Sequence, residues 1–229
     1  MAEASLYPRY IEAVVQRDVR DLARIRAFDV VPRLLAGAAG QTARLFNLSD
    51  LAAPFQQSRP TIGEYVTLLE RVFLLETLAP WHSNRLSRLV KTPKLHLGDT
   101  GIACALLGLD AEALWADRDT LGQLLESFVY QELRRHASWD EAETRFFHFR
   151  DKDGAEVDIV LERGARELAG IQVKAAATVT PADFRGLRKL RQAAGKRFRS
   201  GVVLYDGNTR VSVGDDLFAV PVRCLWGLS

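Results

Sequence analysis

Three polar side chains interrupt two apolar stretches near the middle of the chain: Asp158, Gln172 and Lys174. Burying an unpaired charge costs free energy, so a charged residue inside an apolar strand indicates a partner or a function. Alternation along a strand over 168–175 places Gln172 and Lys174 on the same face. If this strand pairs with the preceding one, over 157–161, Asp158 lies beside them. A carboxylate, an amide oxygen and an ammonium then converge at one sheet surface.

Such a group of side chains suits a divalent cation and a phosphate. Asp158 supplies a hard oxygen ligand for Mg²⁺, which favours one or two carboxylates together with waters. Lys174 neutralises a phosphate or orients a metal-activated water. The alternative is a hairpin with a cross-strand Asp–Lys pair, which occurs in many mixed sheets. The spacing alone favours this alternative.

Turn residues and apolar periodicity predict the elements that position these side chains. Turn clusters at 151–154 and at Gly164 separate strands over 145–149, 157–161 and 168–175. An amphipathic helix over 121–137 precedes the strands, and a helix capped by Thr180, Pro181 and Asp183 follows them. A strand over 201–205 and a hairpin through 211–213 and 218–222 complete this part. The order of elements predicts a mixed sheet flanked by helices.

The segments EVDIVLE and GIQVKAAATVT resemble the core of the PD-(D/E)XK nuclease-like superfamily, in which an Asp is followed by E-x-K or Q-x-K on the next strand. From Tyr10 onward the chain resembles domain of unknown function 4143, the C-terminal domain of a bacterial and archaeal AAA-type P-loop ATPase family. The matching motifs are QRDVRDL, LFNLSDLAAPFQQSRPTIGEYVTLLERVFLLETLAPW, TPKLHLGDTGIACALLG, LLESFVYQEL, FRDKDGAEVDIVLE and TPADFRGLRKL.

The resemblance implies a catalytic set of Asp158, Gln172, Lys174 and Glu126, in which Asp158, Glu126 and Gln172 hold Mg²⁺ or Mn²⁺. Glu132 is a second candidate for the helix carboxylate. Gln172 stands where an acid is commoner, and an amide oxygen binds Mg²⁺ less strongly than a carboxylate. Glu156 lies on the same strand face as Asp158 and is placed to compensate.

The resemblance therefore predicts a nucleic-acid-interacting accessory module of an AAA-type ATPase with a degenerate nuclease-like site, which binds DNA or a partner without cutting. The alternative function is a Mg²⁺-dependent DNA endonuclease or phosphodiesterase that uses Asp158, Glu126 and Lys174. The motif G-x-x-x-x-G-K-[ST] does not occur, so no ATPase activity is expected of this chain. The ATPase partner is expected in cis or in trans, with this chain either a fragment or a stand-alone relative.

The first half of the chain is predicted to consist mostly of helices, followed by two short strands. Helices over 30–39, 50–55 and 59–73, the second capped by Asn47 or Ser49 and the third by Ser58, precede strands over 75–81 and 94–97. This order resembles a winged helix. Arg59, Thr61 and Glu64 then lie where base edges are read. The cations placed to contact phosphates are Arg85, Arg88, Lys91 and Lys94. The alternatives are a winged helix that contacts only proteins and a solvated surface loop.

A second cationic surface follows the third central strand. From Asp183 to Arg199 there are seven basic residues and one acid. Arg185, Arg188 and Lys189 lie on the outward face of the helix and are the predicted nucleic-acid contacts of this part.

The fold class is therefore α/β (α+β), and three regions are expected: a helical linker from the ATPase junction over 1–29, a winged-helix-like domain over 30–109 and a nuclease-like domain over 110–229. The linker carries an apolar stripe (Ile11, Val14, Val15, Val19 and Leu22) that is exposed or self-associating without the ATPase, so a homo-oligomer is considered.

Composition narrows the class of protein. The net charge of +2 gives no global signal for nucleic acid, so any basic surface is local. Cys104 and Cys224 are too far apart for a zinc-knuckle pattern, and a disulfide framework is not expected. No apolar run approaches the length of a membrane span, and no signal peptide is recognisable. The expectation is a cytoplasmic protein that does not enter the membrane.

Overall fold

The structure is a computed structural model that describes Tyr7, Arg9, Tyr10 and Ala13 and residues 30–55, 57–83, 92–164 and 166–227. The five residues of the predicted apolar stripe lie outside the described residues, as do the predicted phosphate contacts Arg85, Arg88 and Lys91. Among the described helices, none combines the length and the apolar character needed to cross a membrane.

The chain divides into two compact units. The first comprises the residues up to Thr77 and Lys94–Ser127, and the second comprises Leu78–Pro93 and Phe128–Ser229. The division falls inside one long helix, which gives its first part to the first unit and its remainder to the second.

The described part of the first unit contains helices around a small sheet. In chain order its elements are α1 (Val30–Ala39), β1 (Arg44–Leu45), α2 (Leu48–Ala52), α3 (Arg59–Arg71), β2 (Leu75–Leu78), β3 (Lys94–Leu97), α4 (Thr100–Leu107), α5 (Ala111–Ala116) and the start of α6 (Arg118–Ser138). The sheet has the order β1-β3-β2. In the hydrophobic core of this unit, α1, α3 and β3 contribute side chains that are fully buried: Leu34, Leu35, Ile62, Leu69 and Leu97.

Two of the predicted helix caps are confirmed. The side chain of Asn47 accepts a hydrogen bond from the N–H of Ser49 at 3.0 Å, which begins α2. The side chain of Ser58 accepts one from the N–H of Thr61 at 3.3 Å, with Pro60 in the first turn of α3. Each cap satisfies an N–H group that has no partner within its own helix. The connection between α2 and α3 is therefore specified locally.

The second unit is built on a six-stranded mixed sheet. In chain order its strands are β4 (Thr144–Arg150), β5 (Glu156–Arg163), β6 (Glu167–Lys174), β7 (Phe198–Tyr205), β8 (Val211–Gly214) and β9 (Leu217–Pro221), in the spatial order β4-β5-β6-β7-β9-β8. The β4, β5 and β6 strands form an antiparallel meander, and β6, β7 and β9 run parallel. A 3₁₀ turn (Pro181–Phe184) leads into α7 (Arg185–Ala194), between β6 and β7. The predicted α+β fold class is confirmed.

Two glycines let α7 lie close to the sheet. A Cβ on Gly186 would come within 1.7 Å of the carbonyl oxygen of Glu156 on β5. A Cβ on Gly170 of β6 would come within 2.7 Å and 2.8 Å of the methyl groups of Leu190 and Leu187. Backbone therefore contacts backbone here, and the leucines of α7 fill the space above Gly170. This close packing places the start of α7 beside the ends of β5 and β6.

The predicted strand over 75–81 is shorter than expected, because β2 ends at Leu78. Pro80 forms a parallel bridge with His148 of β4, and the N–H of Trp81 donates to the His148 carbonyl at 2.6 Å. The side chain of Trp81 is almost fully buried in the core of the second unit. Trp81 is therefore a core residue of this unit and does not belong to a wing strand.

Candidate functional site

The central feature of the candidate site is a fork between β5 and β6. The ladder between these strands ends at the pair Ile159–Ile171. Beyond it, Val157 pairs with Phe149 of β4, whereas Gln172 pairs with Val203 of β7. The two strands therefore part at Asp158, and its side chain fills the opening.

Asp158 is 5% exposed, and the same carboxylate oxygen accepts two hydrogen bonds. The side-chain amide of Gln172 donates to its Oδ2 at 2.6 Å, and the backbone N–H of Val173 donates at 2.8 Å. Because a carboxylate repels an amide oxygen, this contact orients the Gln172 N–H groups towards Asp158. The predicted proximity of Asp158 and Gln172 is therefore observed, with the amide acting as a donor.

Lys174 follows on the same strand and forms an ion pair outside the fork. Its ammonium lies 3.4 Å from Oδ1 of Asp183, in the turn before α7. Asp183 also accepts from the N–H and the hydroxyl of Thr180, at 2.7 Å and 2.9 Å. Burial raises the pKa of Asp183, but these hydrogen bonds and Lys174 outweigh it and hold the pKa below its ordinary value. Lys174 thus braces the capped 3₁₀ turn that leads into α7.

Glu126, the predicted third metal ligand, lies in the first unit. Its carboxylate accepts from the ammonium of Lys94 at 2.7 Å, and both side chains are almost buried. The interpretation of Lys94 as a phosphate contact is wrong, because this side chain points from β3 into the protein and neutralises Glu126. The second candidate, Glu132, pairs with Arg135 and accepts from the indole N–H of Trp226 at 2.8 Å.

A Mg²⁺ or Mn²⁺ site at these residues stays a prediction, and the described contacts of their side chains are hydrogen bonds and ion pairs. Such an ion needs carboxylate or carbonyl oxygens aimed at one point. At the fork, the Asp158 oxygen that accepts the hydrogen bonds faces N–H donors, and Gln172 presents nitrogen where an oxygen ligand is needed. Among the residues that the structure describes, no group of three His, Cys, Asp or Glu side chains is arranged to hold a metal. The described geometry is that of a hydrogen-bonded aspartate.

The predicted cations of α7 fall into two classes. Lys189 lies 3.6 Å from Asp153 and 4.0 Å from Asp151, so carboxylates offset its charge. Arg188 donates to the carbonyl of Pro181 at 2.9 Å, and Arg185 contacts the carbonyl of Asp153 at 3.5 Å. In the described part of the chain neither arginine forms an ion pair with a carboxylate. Arg185 and Arg188 therefore carry the positive charge of this surface.

In the first unit, Arg59 is exposed at the start of α3. The hydroxyl of Thr61 shares a hydrogen bond of 2.8 Å with Ser58, within the helix cap. Thr61 therefore has a local structural role, and Arg59 is more accessible than Thr61 among the three predicted base contacts.

Sequence reasoning missed a buried charged cluster around Glu162 of β5. This side chain is fully buried and accepts from the indole N–H of Trp81 at 3.1 Å and from Arg197 at 2.7 Å, and it also pairs with Arg145. The signal was present, since Glu162 has the same strand parity as Asp158 in the run EVDIVLE. The fork and this cluster lie towards opposite ends of β5.

Two curated proteins resemble this chain. The uncharacterised proteins Rv2008c of Mycobacterium tuberculosis and Mb2031c of Mycobacterium bovis are each 26% identical over 212 residues, which are 93% of this chain and 46% of the relative. The chain thus spans about half the length of the curated relatives it matches.

A solved structure also matches: a half-complex from the tetradecameric assembly of Thermococcus gammatolerans McrB AAA+ hexamers with bound McrC. The match has 12% identity and a TM-score of 0.34, and it covers 86% of this chain and 72% of the other.

Two family models match different parts of the chain. Residues 1–113 match a domain of unknown function, DUF8612. Residues 121–225 match DUF4143, also a domain of unknown function. The resemblance to domain of unknown function 4143, which was expected from Tyr10 onward, is thereby confirmed only for residues 121–225, the part that carries the fork, because residues 1–113 match a different model.

Proposed function

We propose that this chain is a nucleic-acid-interacting accessory module that works with a P-loop ATPase, and that its nuclease-like site is degenerate and does not cut. The observation that carries the proposal is the state of Asp158. Its carboxylate is buried at the strand fork and accepts from Gln172 and from the backbone of Val173. An aspartate that accepts these hydrogen bonds occupies the sequence position of a nuclease aspartate, but its bonded oxygen faces N–H donors and does not face a metal ion.

The nuclease-like scaffold is supported by the order of elements in the second unit. A long helix, an antiparallel meander, a crossover helix and a parallel strand follow one another as α6, β4-β5-β6, α7 and β7. Asp158 lies on the second strand of the meander, and Gln172 and Lys174 lie on the third. This is the arrangement that the resemblance to PD-(D/E)XK nuclease-like proteins implies, with a hydrogen-bonding amide in place of an acid.

Binding of nucleic acid is supported by charge at the same end of the sheet. Among the described residues, Arg185 and Arg188 have carbonyl partners but no carboxylate partner, so each retains a full charge that a phosphate can neutralise. Both lie on the first turns of α7, which the contact between Gly186 and Glu156 holds beside the fork. DNA is the nucleic acid to test first.

A second contact with nucleic acid is supported by the elements of the first unit. The order α1-β1-α2-α3-β2-β3, with the sheet order β1-β3-β2, is consistent with the proposed winged-helix-like domain. Its third helix begins with exposed Arg59. Helices in this position read DNA when they enter the major groove.

The ATPase association is supported by the match of residues 121–225 to DUF4143 and by the length of the relatives. The match covers 46% of each mycobacterial protein, which leaves a segment large enough for an ATPase module in the relatives. The ATPase partner of this chain is accordingly proposed in cis or in trans.

The degenerate site is tested by titrating Mn²⁺ into the protein in a calorimeter, beside Asp158→Asn. The matched control is Glu167→Gln, which neutralises an exposed carboxylate on the neighbouring strand β6. The proposal predicts no specific binding in any of the three proteins. Specific binding that only Asp158→Asn abolishes would contradict it and favour the alternative, a Mg²⁺-dependent endonuclease that uses Asp158, Glu126 and Lys174.

Nucleic-acid binding is tested with fluorescently labelled duplex DNA across a range of salt concentrations. The double variant Arg185→Ala/Arg188→Ala should bind more weakly and should lower the slope of log affinity against log salt by about 1.8, which is about 0.9 for each phosphate that the protein no longer neutralises. The control is Arg199→Ala, since Arg199 is equally cationic but paired with Glu167 at 3.3 Å. Equally weakened binding in both proteins would contradict the assignment of this surface.

A further inference from the structure

The two edges of the six-stranded sheet are treated differently. The outermost strands are β4 and β8. The β4 edge is covered at His148, which Pro80 bridges and which exchanges backbone hydrogen bonds with Ala79 and Trp81. Within the part of the chain that the structure describes, no strand pairs with the outer side of β8. Unpaired N–H and C=O groups along such an edge can accept another strand.

The composition of β8 favours pairing. All four of its residues are exposed, and Val211 and Val213 keep 45% and 41% of their surface accessible. Neither Lys nor Pro occurs in the strand, although these residues commonly block an exposed edge. Val211 lies opposite Ala219, which is fully buried on β9. Directly opposed residues share a face, so the buried apolar surface continues outward onto Val211.

The residues at the two ends of β8 carry opposite charges. Arg210 precedes the strand, and Asp215 and Asp216 follow it in a tight turn with positive φ angles of 56° and 60°. Arg210 donates to the sulfur of Cys224 at 3.4 Å, and neither it nor Asp216 forms an ion pair with any described residue. Asp215 meets Arg191 at 3.2 Å, in a solvent-exposed pair of the kind that contributes little. These charges are available to a partner strand.

We infer that β8 pairs antiparallel with β8 of a second copy of this chain, so that two six-stranded sheets join edge to edge. Two-fold antiparallel pairing of the segment Arg210–Asp216 sets its basic start against its acidic end, once in each direction. Arg210 of each copy then lies beside the Asp215 and Asp216 pair of the other. A second copy is the partner that this self-complementary charge pattern fits.

The small size of the contact between the two β8 strands limits the affinity of the dimer. At about 3.4 Å per residue, the four residues of β8 span about 14 Å. An interface of this length is smaller than that of a typical stable dimer, so the dissociation constant is expected in the micromolar range. Salt should weaken the dimer, because the charged ends lie at its solvent-exposed rim.

The test is sedimentation velocity of the full chain from about 1 to about 100 µM, a range that brackets a small interface. The wild-type protein should pass from monomer to dimer. Val211→Lys places a charge on the edge and should raise the dissociation constant at least about tenfold. The matched control is Leu45→Lys, an exposed apolar residue on β1, which should leave the dimer unchanged. A monomer throughout this range would overturn the inference.

Charge reversal separates this edge from any other interface. Arg210→Glu alone, and Asp215→Lys/Asp216→Lys alone, should each weaken self-association by placing like charges together. An equimolar mixture of the two variants should restore dimers, because each now complements the other. The inference is wrong if neither variant weakens the dimer, or if mixing them restores nothing.

Discussion

Glu162 gives the sharpest test of how the second unit is held together. Its carboxylate is 0% exposed, yet it bonds Trp81, Arg145 and Arg197. Replacing it with Gln keeps the shape, removes the charge and turns an NH₂ group towards one of the two guanidinium groups, since Arg145 and Arg197 bond different carboxylate oxygens. We predict that Glu162→Gln lowers the free energy of unfolding substantially.

The magnitude follows from the exposure of the partners. Removing one member of a buried ion pair costs about 3–5 kcal/mol, because the other charge is left without its counterion. The side chains of Arg145 and Arg197 are 41% and 28% exposed, so water recovers part of that cost. We therefore expect about 3 kcal/mol, which is roughly a hundredfold change in the unfolding equilibrium.

The assay is urea unfolding followed by far-ultraviolet circular dichroism. The matched control is Glu167→Gln, the same substitution five positions along the chain, where the carboxylate is exposed and meets Arg199 at 3.3 Å. This control should change stability by at most about 0.5 kcal/mol. A destabilisation below about 1 kcal/mol in Glu162→Gln, or an equal one in both variants, would refute the argument that burial makes this cluster costly to break.

Three further predictions concern packing, the charge on α6 and the cap of the 3₁₀ turn before α7. Gly186→Ala should destabilise the protein by about 3 kcal/mol in thermal unfolding, because the added Cβ would meet the Glu156 carbonyl oxygen at 1.7 Å. The control is Gly122→Ala, where the added Cβ has no atom within 4 Å, and this variant should stabilise α6 by about 0.5–1 kcal/mol. Lys94→Met should cost about 3 kcal/mol in urea unfolding, because buried Glu126 is left without its ammonium; a neutral result would contradict the pairing at 2.7 Å. Asp183→Asn should cost about 1 kcal/mol at pH 7. The pKa of Asp183 in the folded protein lies below its ordinary value of 3.8. The wild-type protein should therefore be more stable than Asp183→Asn above pH 3.8, and this difference in the free energy of unfolding should disappear as the pH falls through the folded pKa. A difference that is unchanged at pH 2 would contradict this prediction.

Much of the local structure could be predicted from the sequence. The meander of β4, β5 and β6 follows from turn residues at Asp151, Gly154 and Gly164 between apolar runs. The caps at Asn47, at Ser58 and at Thr180 with Asp183 were predicted and are confirmed. These signals are local, because a cap or a turn depends on residues only a few positions apart. The approach of Gln172 to Asp158 also follows, since only two adjacent strands and their alternation are needed.

The partners of the charged residues could not be predicted in the same way. The resemblance implies a metal-ligand role for Glu126, and the sequence predicts a phosphate contact for Lys94, yet the two side chains bond one another across 32 positions of sequence. Trp81 and Glu162 meet across 81 positions, and Arg197 joins them from a third segment. A chain with 31 Lys and Arg and 29 Asp and Glu offers many combinations of opposite charge that the sequence does not rank.

The sequence by itself therefore determined most of the helices and strands, their order and the α+β class, because periodicity, turn chemistry and capping act over short distances. Only the tertiary structure decided which charges are buried together and whether the fork presents oxygen or nitrogen. Those choices depend on strand register and on where a remote segment such as Pro80–Trp81 packs. A carboxylate that the sequence places as a metal ligand has a structural role instead when long-range packing puts a hydrogen-bond donor against it. Glu126, which accepts from Lys94 across 32 positions of sequence, illustrates this principle.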